Sequence, residues 1–281
     1  MKYTINNFNN DFPNEDVCLD YIFNKRYSKD YECPKCHKKG FYRVKERKCY
    51  ACAWCGYQLH PLSGTIFHKS STNLWDWFFA IFLMSTSKNG VSAKEIQRQL
   101  GVTYKCAWRL QRQIRKLMRS KGSKLSGIVE IDDTYIGGKH KGKRGRGAEG
   151  KTPVFGMVQR KGDLKANVVD NLKVKTVVPL IQENIEENSQ LMTDEFRSYM
   201  NVKHYGFDHD FVKHGIKEYV RGKVHTNPIE GFWSQFKRSV DGTYHSVSPK
   251  HLQLYVDEFA WRYNHRASET PFFDHLLQSV V

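Results

Sequence analysis

Short apolar runs with a period of two residues dominate the second half of the chain. SGIVEIDDTYIGGK (126–139) alternates apolar and polar residues, then reaches a pair of acids and a pair of glycines. TPVFGMVQRKG and KANVVDNLKV follow as strand-like runs with a hairpin between them, TVVPLIQENIEEN has the pattern of a helix, and SQLMTDEF returns as a buried strand. This alternation of elements predicts an α/β domain over residues 126–281.

A helical period governs residues 87–118. Ser92 is predicted to cap the helix AKEIQRQL, Gly101 to end it, and TYKCAWRLQRQIRKLM to form the next helix. Two helices joined by a short glycine turn are typical of a helix-turn-helix, which we assign to a DNA-binding domain over residues 70–122. The apolar stripe predicted to be buried on the second helix consists of Ala107, Leu110, Ile114 and Leu117.

Two C-x2-C pairs separated by 15 residues precede this domain and predict a zinc ribbon over residues 31–60, after a helical lead-in at 1–30. Four thiolates at this spacing suit one structural Zn2+ ion. The expected ligands are Cys33, Cys36, Cys52 and Cys55. Cys49 is an alternative to Cys52, but Gly56 after the second pair favours Cys52 and Cys55, since a zinc knuckle needs a tight turn.

The net charge is +16 and is concentrated in the first half of the chain. Residues 1–125 carry 23 Lys and Arg against 9 Asp and Glu, whereas residues 126–281 carry 22 against 20. This asymmetry indicates a polyanionic partner, nucleic acid rather than membrane, although a solvated basic surface would look similar. The longest apolar run, LWDWFFAIFLM, is too short to span a bilayer, and the polar N-terminus lacks a signal-peptide core, so we expect a cytoplasmic protein.

The second helix of the helix-turn-helix carries a row of cations at steps of three and four residues. We expect this row to contact double-stranded DNA, with a solvated basic helix as the alternative. Its members are Lys105, Arg109, Arg112, Lys116 and Arg119.

Acids close two of the predicted strands in the α/β domain. Three strands, a helix and a further strand follow the order of the ribonuclease H-like fold, in which the first and fourth strands are neighbours. Asp132 and Asp194 would then face each other and repel unless a divalent cation lies between them. Asp133 and Glu195 are the rival candidates at the two positions, and strand alternation alone does not choose between them.

A third acid opens the later helix HTNPIEGFWSQFKRSV (225–240). Asn227 is expected to be its N-cap, with Glu230 in its first turn on the same face as Lys237. Glu230 could instead serve as a capping-box residue.

These motifs resemble the D-D-E-K signature of bacterial insertion-sequence transposases. VEIDDTYIGGK, TPVFGMV, TDEFRSY, HTNPIEGFWSQFKR and YVDEFAWRYNHR are similar to the ISXO-type transposases, relatives of the eukaryotic Merlin elements. The resemblance covers about residues 15–275, including the zinc ribbon and the helix-turn-helix. The chain departs from the family in having Asp133 where Glu is usual, and in a short basic glycine loop at 139–151.

The resemblance implies a transposase that binds the terminal inverted repeats of its element, cleaves DNA and joins the ends to a target. It implies two Mg2+ ions, with Asp132 bridging both, Asp194 on one and Glu230 on the other, while Lys237 holds a DNA phosphate. We also expect a homo-oligomer on nucleoid DNA. A ribonuclease H-fold nuclease without strand transfer, and a zinc-ribbon and helix-turn-helix regulator with an idle catalytic domain, are the alternatives.

Overall fold

The structure is a computed structural model. It describes residues 3–119, 122–137, 150–216 and 218–280, apart from the side chains of Asn201 and His214. The chain divides into two compact units. Unit 1 comprises Met1–Leu117 and Ser268–Val281, and unit 2 comprises Met118–Ala267. Most of the basic glycine loop predicted at 139–151 lies outside the described residues. In the described part of the chain, no helix has both the length and the apolar character needed to cross a membrane.

The first eight elements all belong to unit 1. They are α1 (Ile5–Asp11), α2 (Glu15–Arg26), β1 (Phe41–Arg43), β2 (Tyr50–Cys52), β3 (Gln58–Leu59), α3 (Leu74–Thr86), α4 (Ala93–Leu100) and α5 (Tyr104–Leu117). The two predicted helices form as α4 and α5: the Ser92 side chain accepts a hydrogen bond from the Glu95 amide, and Gly101 ends α4 at φ +67°. On α5, Ala107, Leu110 and Ile114 are buried, while Leu117 is half-buried.

Unit 2 contains the remaining strands and four helices. These are β4 (Ile128–Ile136), β5 (Thr152–Gln159), β6 (Leu164–Val168), α6 (Val174–Asn184), β7 (Gln190–Thr193), α7 (Arg197–Met200), β8 (Asp208–Phe211), α8 (Asn227–Ser239) and α9 (Pro249–Asn264). The last helix, α10 (Phe272–Gln278), returns to unit 1 and packs against α3.

An aromatic cluster explains why α10 lies in unit 1. The ring of Phe273 is 5.8 Å from those of both Phe8 and Phe12, and Phe12 in turn contacts Phe78 of α3 at 4.9 Å. The cluster buries the whole of Phe8 and nearly all of Phe273. The predicted α/β domain at 126–281 therefore extends too far, because its last helix completes the core of unit 1.

The sheet of unit 2 has the strand order β6-β5-β4-β7-β8. β4, β5 and β6 are antiparallel, while β4, β7 and β8 are parallel, and α6 makes the crossover from β6 to β7. Counted within the sheet, the order is 3-2-1-4-5, the topology of the ribonuclease H-like fold. The predicted fold class is therefore confirmed.

The two faces of this sheet carry different helices. Val129 and Ile131 point to the face covered by α6, where they share a core with Ile181. The opposite face packs on α8 and α9, with Val154 and Trp233 in its core. Since side chains alternate along a strand, the even-numbered residues of β4 face α8.

Gly156 lets α8 approach the sheet closely. It pairs with Asp132 across the β4–β5 ladder, on the face covered by α8. A Cβ atom at this position would lie 2.5 Å from Cζ2 of Trp233 and 3.1 Å from Cδ1 of Ile229. The missing side chain therefore allows the first turns of α8 to lie directly against the strand that carries Asp132.

A carboxylate cluster as candidate active site

Asp132 on β4 and Asp194, the residue directly after β7, lie at corresponding positions on two neighbouring parallel segments. The β4–β7 register pairs Glu130 with Met192. Asp132 comes two residues after Glu130, and Asp194 comes two residues after Met192. Both acids therefore extend from the same face of the sheet as Glu130, the face covered by α8. The Asp194 carboxylate also accepts a hydrogen bond of 3.0 Å from the Phe196 amide, which fixes the turn after β7.

The rival acids take other partners. Asp133 faces the α6 side of the sheet, where Tyr199 of α7 donates a 2.8 Å hydrogen bond from its hydroxyl group. Glu195 is exposed and accepts a 3.0 Å hydrogen bond from the Gly215 amide. The geometry therefore favours Asp132 and Asp194 as the pair that faces α8.

Glu230 lies exposed in the first turn of α8. The helix begins at Asn227 with Thr226 as its cap residue, so the prediction of Asn227 as N-cap was wrong by one residue. Glu230 accepts a 2.6 Å hydrogen bond from the Thr226 hydroxyl group, and its amide bonds to the Thr226 carbonyl group at 3.1 Å. It is therefore tied to the turn before the helix rather than to the Asn227 backbone.

The charges of Asp133, Asp194 and Glu230 all act on the carboxyl group of Asp132. Burial, and to a lesser extent the charges of these three acids, together raise the pKa of Asp132 to about 8. Burial and the charges of Asp133, Asp132 and Asp194 likewise raise the pKa of Tyr199 well above its usual value. Negative charges gathered in a partly buried site are stabilised by a cation.

The donor chemistry of this cluster fits a hard divalent cation, because carboxylate oxygens are the ligands Mg2+ prefers. Asp132, Asp194 and Glu230 do not, however, close around a single point. Among the described residues, only the four cysteines form a group of three or more potential ligands whose atoms all lie within 4.8 Å of one another. A site for two ions would spread its carboxylates in this way.

A buried acid that the sequence analysis had not singled out stands two residues before Asp132. Glu130 is completely buried, and its carboxylate accepts a 2.7 Å hydrogen bond from Nε of Arg160. Nδ1 of His225 lies 3.2 Å from the same oxygen. An acid between Val129 and Ile131 in an apolar strand was the signal that could have marked Glu130 as a residue needing a cationic partner.

Lys237 lies exposed on α8, two turns beyond Glu230 and on the same face. It lines a pocket of about 260 Å3 together with Lys151, His245 and Tyr135. The chain beside this pocket, Val240–Tyr244, forms a π-helical turn, an irregularity that often occurs at functional sites.

The four predicted zinc ligands meet in unit 1. The sulfur atoms of Cys33 and Cys55 are 3.6 Å apart, as are those of Cys36 and Cys52. Sulfur atoms around a tetrahedral zinc ion with bonds of about 2.3 Å would be about 3.8 Å apart, so the cluster fits this ion. Cys49 lies outside the cluster, with its sulfur 3.9 Å from Oε1 of Gln58.

The two knuckles of the ribbon have the same backbone form. The His37 amide bonds to the Cys33 carbonyl group at 2.8 Å, and the Gly56 amide bonds to the Cys52 carbonyl group at 3.0 Å. His37 and Gly56 have φ angles of 59° and 70°, respectively. Gly56 therefore occupies the tight turn that led us to prefer Cys52 to Cys49.

The cations of α5 divide into two groups. Lys105, Arg112 and Lys116 are exposed. Arg109 is half-buried: its Nη2 donates to the hydroxyl groups of Ser70 and Thr72 at 2.9 and 3.0 Å. Because these bonds engage its guanidinium group inside unit 1, we withdraw Arg109 from the predicted DNA-contacting row.

Arg119 follows α5 and belongs to unit 2, where it is exposed. Burial raises the pKa of Asp257 on α9, and the Gln253 hydrogen bond and the charge of Arg119 partly offset this rise. Arg119 therefore lies close to α9.

Comparison with known proteins gives matches along most of the chain. Residues 124–264 match the ISXO2-like transposase domain family, and residues 13–58 match the transposase zinc-ribbon domain family. An uncharacterized protein in transposable element ISH50 of Halobacterium salinarum is 27% identical over 276 residues, covering 89% of this chain and 91% of the relative. An uncharacterized transposase-like protein of Haemophilus influenzae is 31% identical over 97 residues, covering 34% and 77%, respectively.

Among solved structures, the Mos1 strand transfer complex matches with a TM-score of 0.29 and 11% identity, covering 73% of this chain and 78% of that one. A simian T-cell lymphotropic virus intasome in complex with a PP2A regulatory subunit matches with a TM-score of 0.32 and 12% identity, covering 69% and 74%. The assignment of the fold rests on the strand order and not on these scores.

Proposed function

Because the chain belongs to the ISXO2-like transposase family, we propose that unit 2 cleaves DNA at the ends of its own element and joins those ends to a target. The observation that carries this proposal is the placement of three acids. Asp132 lies on β4 and Asp194 directly follows the adjacent parallel strand β7, and the charges of Asp194 and Glu230 both act on the Asp132 carboxyl group. Acids gathered in this way serve phosphoryl transfer when they hold divalent cations.

Asp132, Asp194 and Glu230 are the residues that would hold two Mg2+ ions. When bound, Mg2+ supplies a Lewis acid that activates the attacking oxygen and stabilises the leaving oxygen. The chain itself supplies the negatively charged carboxylates and fixes their positions. Asp132, with its pKa raised to about 8, would hold a proton near neutral pH in the metal-free protein.

Two in-line displacements at phosphorus account for the reaction. In the first, water attacks the phosphodiester at the element end, so that a P–O bond forms, the P–O3′ bond breaks and a free 3′-hydroxyl group results. In the second, that hydroxyl group attacks a target phosphodiester and releases a target 3′-hydroxyl group. Lys237 and Lys151, which line the pocket beside α8, would hold phosphates of the bound strand.

Unit 1 would supply recognition of the element ends. The exposed Lys105, Arg112 and Lys116 present cations along α5 to a duplex, and Arg119 adds one from unit 2. A structural Zn2+ ion held by the four clustered cysteines would fix the ribbon. We further propose that copies of the chain assemble as a homo-oligomer on DNA, and that the protein acts in the cytoplasm, where the nucleoid lies.

A cleavage and joining assay tests this function. The protein is incubated with Mg2+, a duplex that carries an element end with its flanking DNA, and a supercoiled target plasmid, and the 3′ ends are mapped. Cleavage at the element boundary together with joined products would support a transposase. Cleavage without joining would indicate a nuclease, and end binding without cleavage would indicate a DNA-binding regulator.

A further inference from the structure

Glu130 and the partly buried Arg160 form an ion pair whose hydrogen bonds extend beyond the pair. Glu130 is completely buried on β4, and Nε of Arg160 donates to its Oε1 at 2.7 Å. A buried carboxylate without a cation would cost several kcal/mol, so the pair is needed once Glu130 is in place. An apolar pair of similar volume would often be as stable as a buried charge with its partner, so stability alone does not explain a fully buried Glu130 here.

The remaining bonds of the pair go to the backbone that leads into α8. Nη1 of Arg160 donates to the Lys223 carbonyl group at 2.8 Å, and Nη2 donates to the His225 carbonyl group at 3.1 Å. Oε2 of Glu130 accepts a 3.4 Å hydrogen bond from the Ile229 amide, within the first turn of α8. The pair therefore binds three backbone groups on the two sides of the residue where the helix begins.

The bonded residues adjoin the proposed metal ligands. Ile229 immediately precedes Glu230, and Glu130 precedes Asp132 by two residues on the same face of β4. A guanidinium group is a rigid fork, so its three bonds set the distance from the strand to residues 223–225 as well as their orientation. A displacement of this segment would move Glu230 relative to Asp132.

We propose that Glu130 and Arg160 are positioning residues, which hold the first turn of α8 so that Glu230 completes the metal site with Asp132 and Asp194. This inference rests on the proposed function, since it concerns the same site. Partners that orient metal ligands typically change metal affinity or activity by about 10- to 100-fold when they are mutated.

Arg160→Lys is the first test variant, because lysine keeps the charge beside Glu130 but cannot reach both carbonyl groups at once. We expect cleavage to fall by about 10- to 100-fold with no change in DNA binding. Lys165→Met is the matched control. Lys165 is a partly buried cation of unit 2 that donates to the Gly122 carbonyl group at 3.1 Å and to Asn184 at 3.3 Å, far from α8 in the chain.

Amide hydrogen exchange of the metal-free protein provides a readout that is independent of activity. In Arg160→Lys, the amides of residues 225–231 should exchange faster, while those of β4 and β5 keep the protection they have in the wild type. Lys165→Met should leave the exchange of 225–231 unchanged. Unaltered exchange at 225–231 in Arg160→Lys would overturn the inference, whether or not the wild type cleaves DNA.

A double-mutant cycle with Glu230→Gln then asks whether Arg160 acts through Glu230. The measurement is the rise in Tm that Mn2+ alone produces in the wild type, in each single variant and in the double variant. We expect each single variant to lose part of this rise, and the double variant to lose no more than Glu230→Gln. Additive losses of the Mn2+-induced rise in Tm in the double variant would contradict the inference. So would an Arg160→Lys protein with the wild-type rise in Tm and the wild-type cleavage rate. Absence of cleavage in the wild type would instead contradict the proposed function.

Discussion

Replacing Gly156 with alanine should disable cleavage by moving α8 away from the sheet. The added methyl group would lie 2.5 Å from Cζ2 and 2.9 Å from Cη2 of Trp233, and 3.1 Å from Cδ1 of Ile229. Carbon atoms in contact are about 3.5–4.0 Å apart, so the helix must retreat by about 1 Å to accommodate the methyl group. Gly156 pairs with Asp132, and Ile229 precedes Glu230, so the displacement falls between two of the proposed ligands.

Two magnitudes follow from this retreat. Overpacking of a well-filled core costs about 1–3 kcal/mol, which would lower the Tm of a unit of this size by about 2–12 °C. A displacement of about 1 Å at a catalytic group can lower the rate by about 100-fold. We therefore expect a protein that is still folded at assay temperature and cleaves element-end DNA about 100-fold more slowly.

Two further variants separate displacement of α8 from general damage. Gly231→Ala adds a methyl group on α8 itself where no atom lies within 4 Å, so it should raise stability by about 1 kcal/mol and spare cleavage. Trp233→Phe removes the two ring atoms closest to the new methyl group. In the Gly156→Ala background it should therefore restore part of the lost rate.

The assay is the initial rate of Mg2+-dependent nicking, measured beside thermal unfolding of each variant. A Gly156→Ala protein that is folded and nicks at the wild-type rate would refute the reasoning. A Gly156→Ala, Trp233→Phe double variant that nicks more slowly than Gly156→Ala alone would also refute it, because removing the steric overlap would then not have restored the site.

Three further predictions concern metal, DNA and pH. Cys36→Ser should lose the bound zinc and the structure of the ribbon, whereas Cys49→Ser should keep both; metal analysis of the purified variants distinguishes them. Arg112→Ala should weaken binding to element ends and reduce its salt dependence, measured by titration at several salt concentrations, whereas Arg109→Ala should mainly lower Tm; equal loss of binding in both would contradict the assignment of Arg109. In metal-free protein, the free energy of unfolding should fall as pH rises from about 4 to about 8. Over this range Asp132 is ionised in the unfolded state but stays protonated in the folded state, where its pKa is raised to about 8. The Tm advantage of Asp132→Asn should therefore grow over that range and vanish when Mg2+ is added; an advantage independent of pH would contradict this.

The sheet could be predicted from the sequence because the patterns that indicate its strands are local. Alternation in 126–136, a helix and a later strand ending in Asp194 are enough to predict the order of elements, and the parallel pairing of β4 with β7 follows from the crossover. The choice between Asp132 and Asp133 was not local. It depends on which face of the sheet α8 covers. Asp133 points to the other face, where Tyr199, 66 residues away in the chain, donates a hydrogen bond to it.

Long-range bonds also explain what the sequence missed. The Glu130 carboxylate meets Arg160 at a separation of 30 residues and the Ile229 amide at 99, and no periodic pattern links them. Arg109 has the same spacing as the exposed cations of α5, yet Ser70, 39 residues earlier in the chain, engages it. Helical periodicity identifies the residues that share a face but not the partner that each of them meets.

The central claim is that Glu230 acts with Asp132 and Asp194 in metal-dependent cleavage, and Glu230→Gln tests it most directly. The glutamine amide oxygen can still accept the hydrogen bond from Thr226. If Glu230 had only a structural role, the substitution would therefore lower stability by under about 1 kcal/mol and leave catalysis intact. We predict that the variant folds, binds element ends as the wild type does, and fails to nick them with Mg2+. Nicking at the wild-type rate would contradict it.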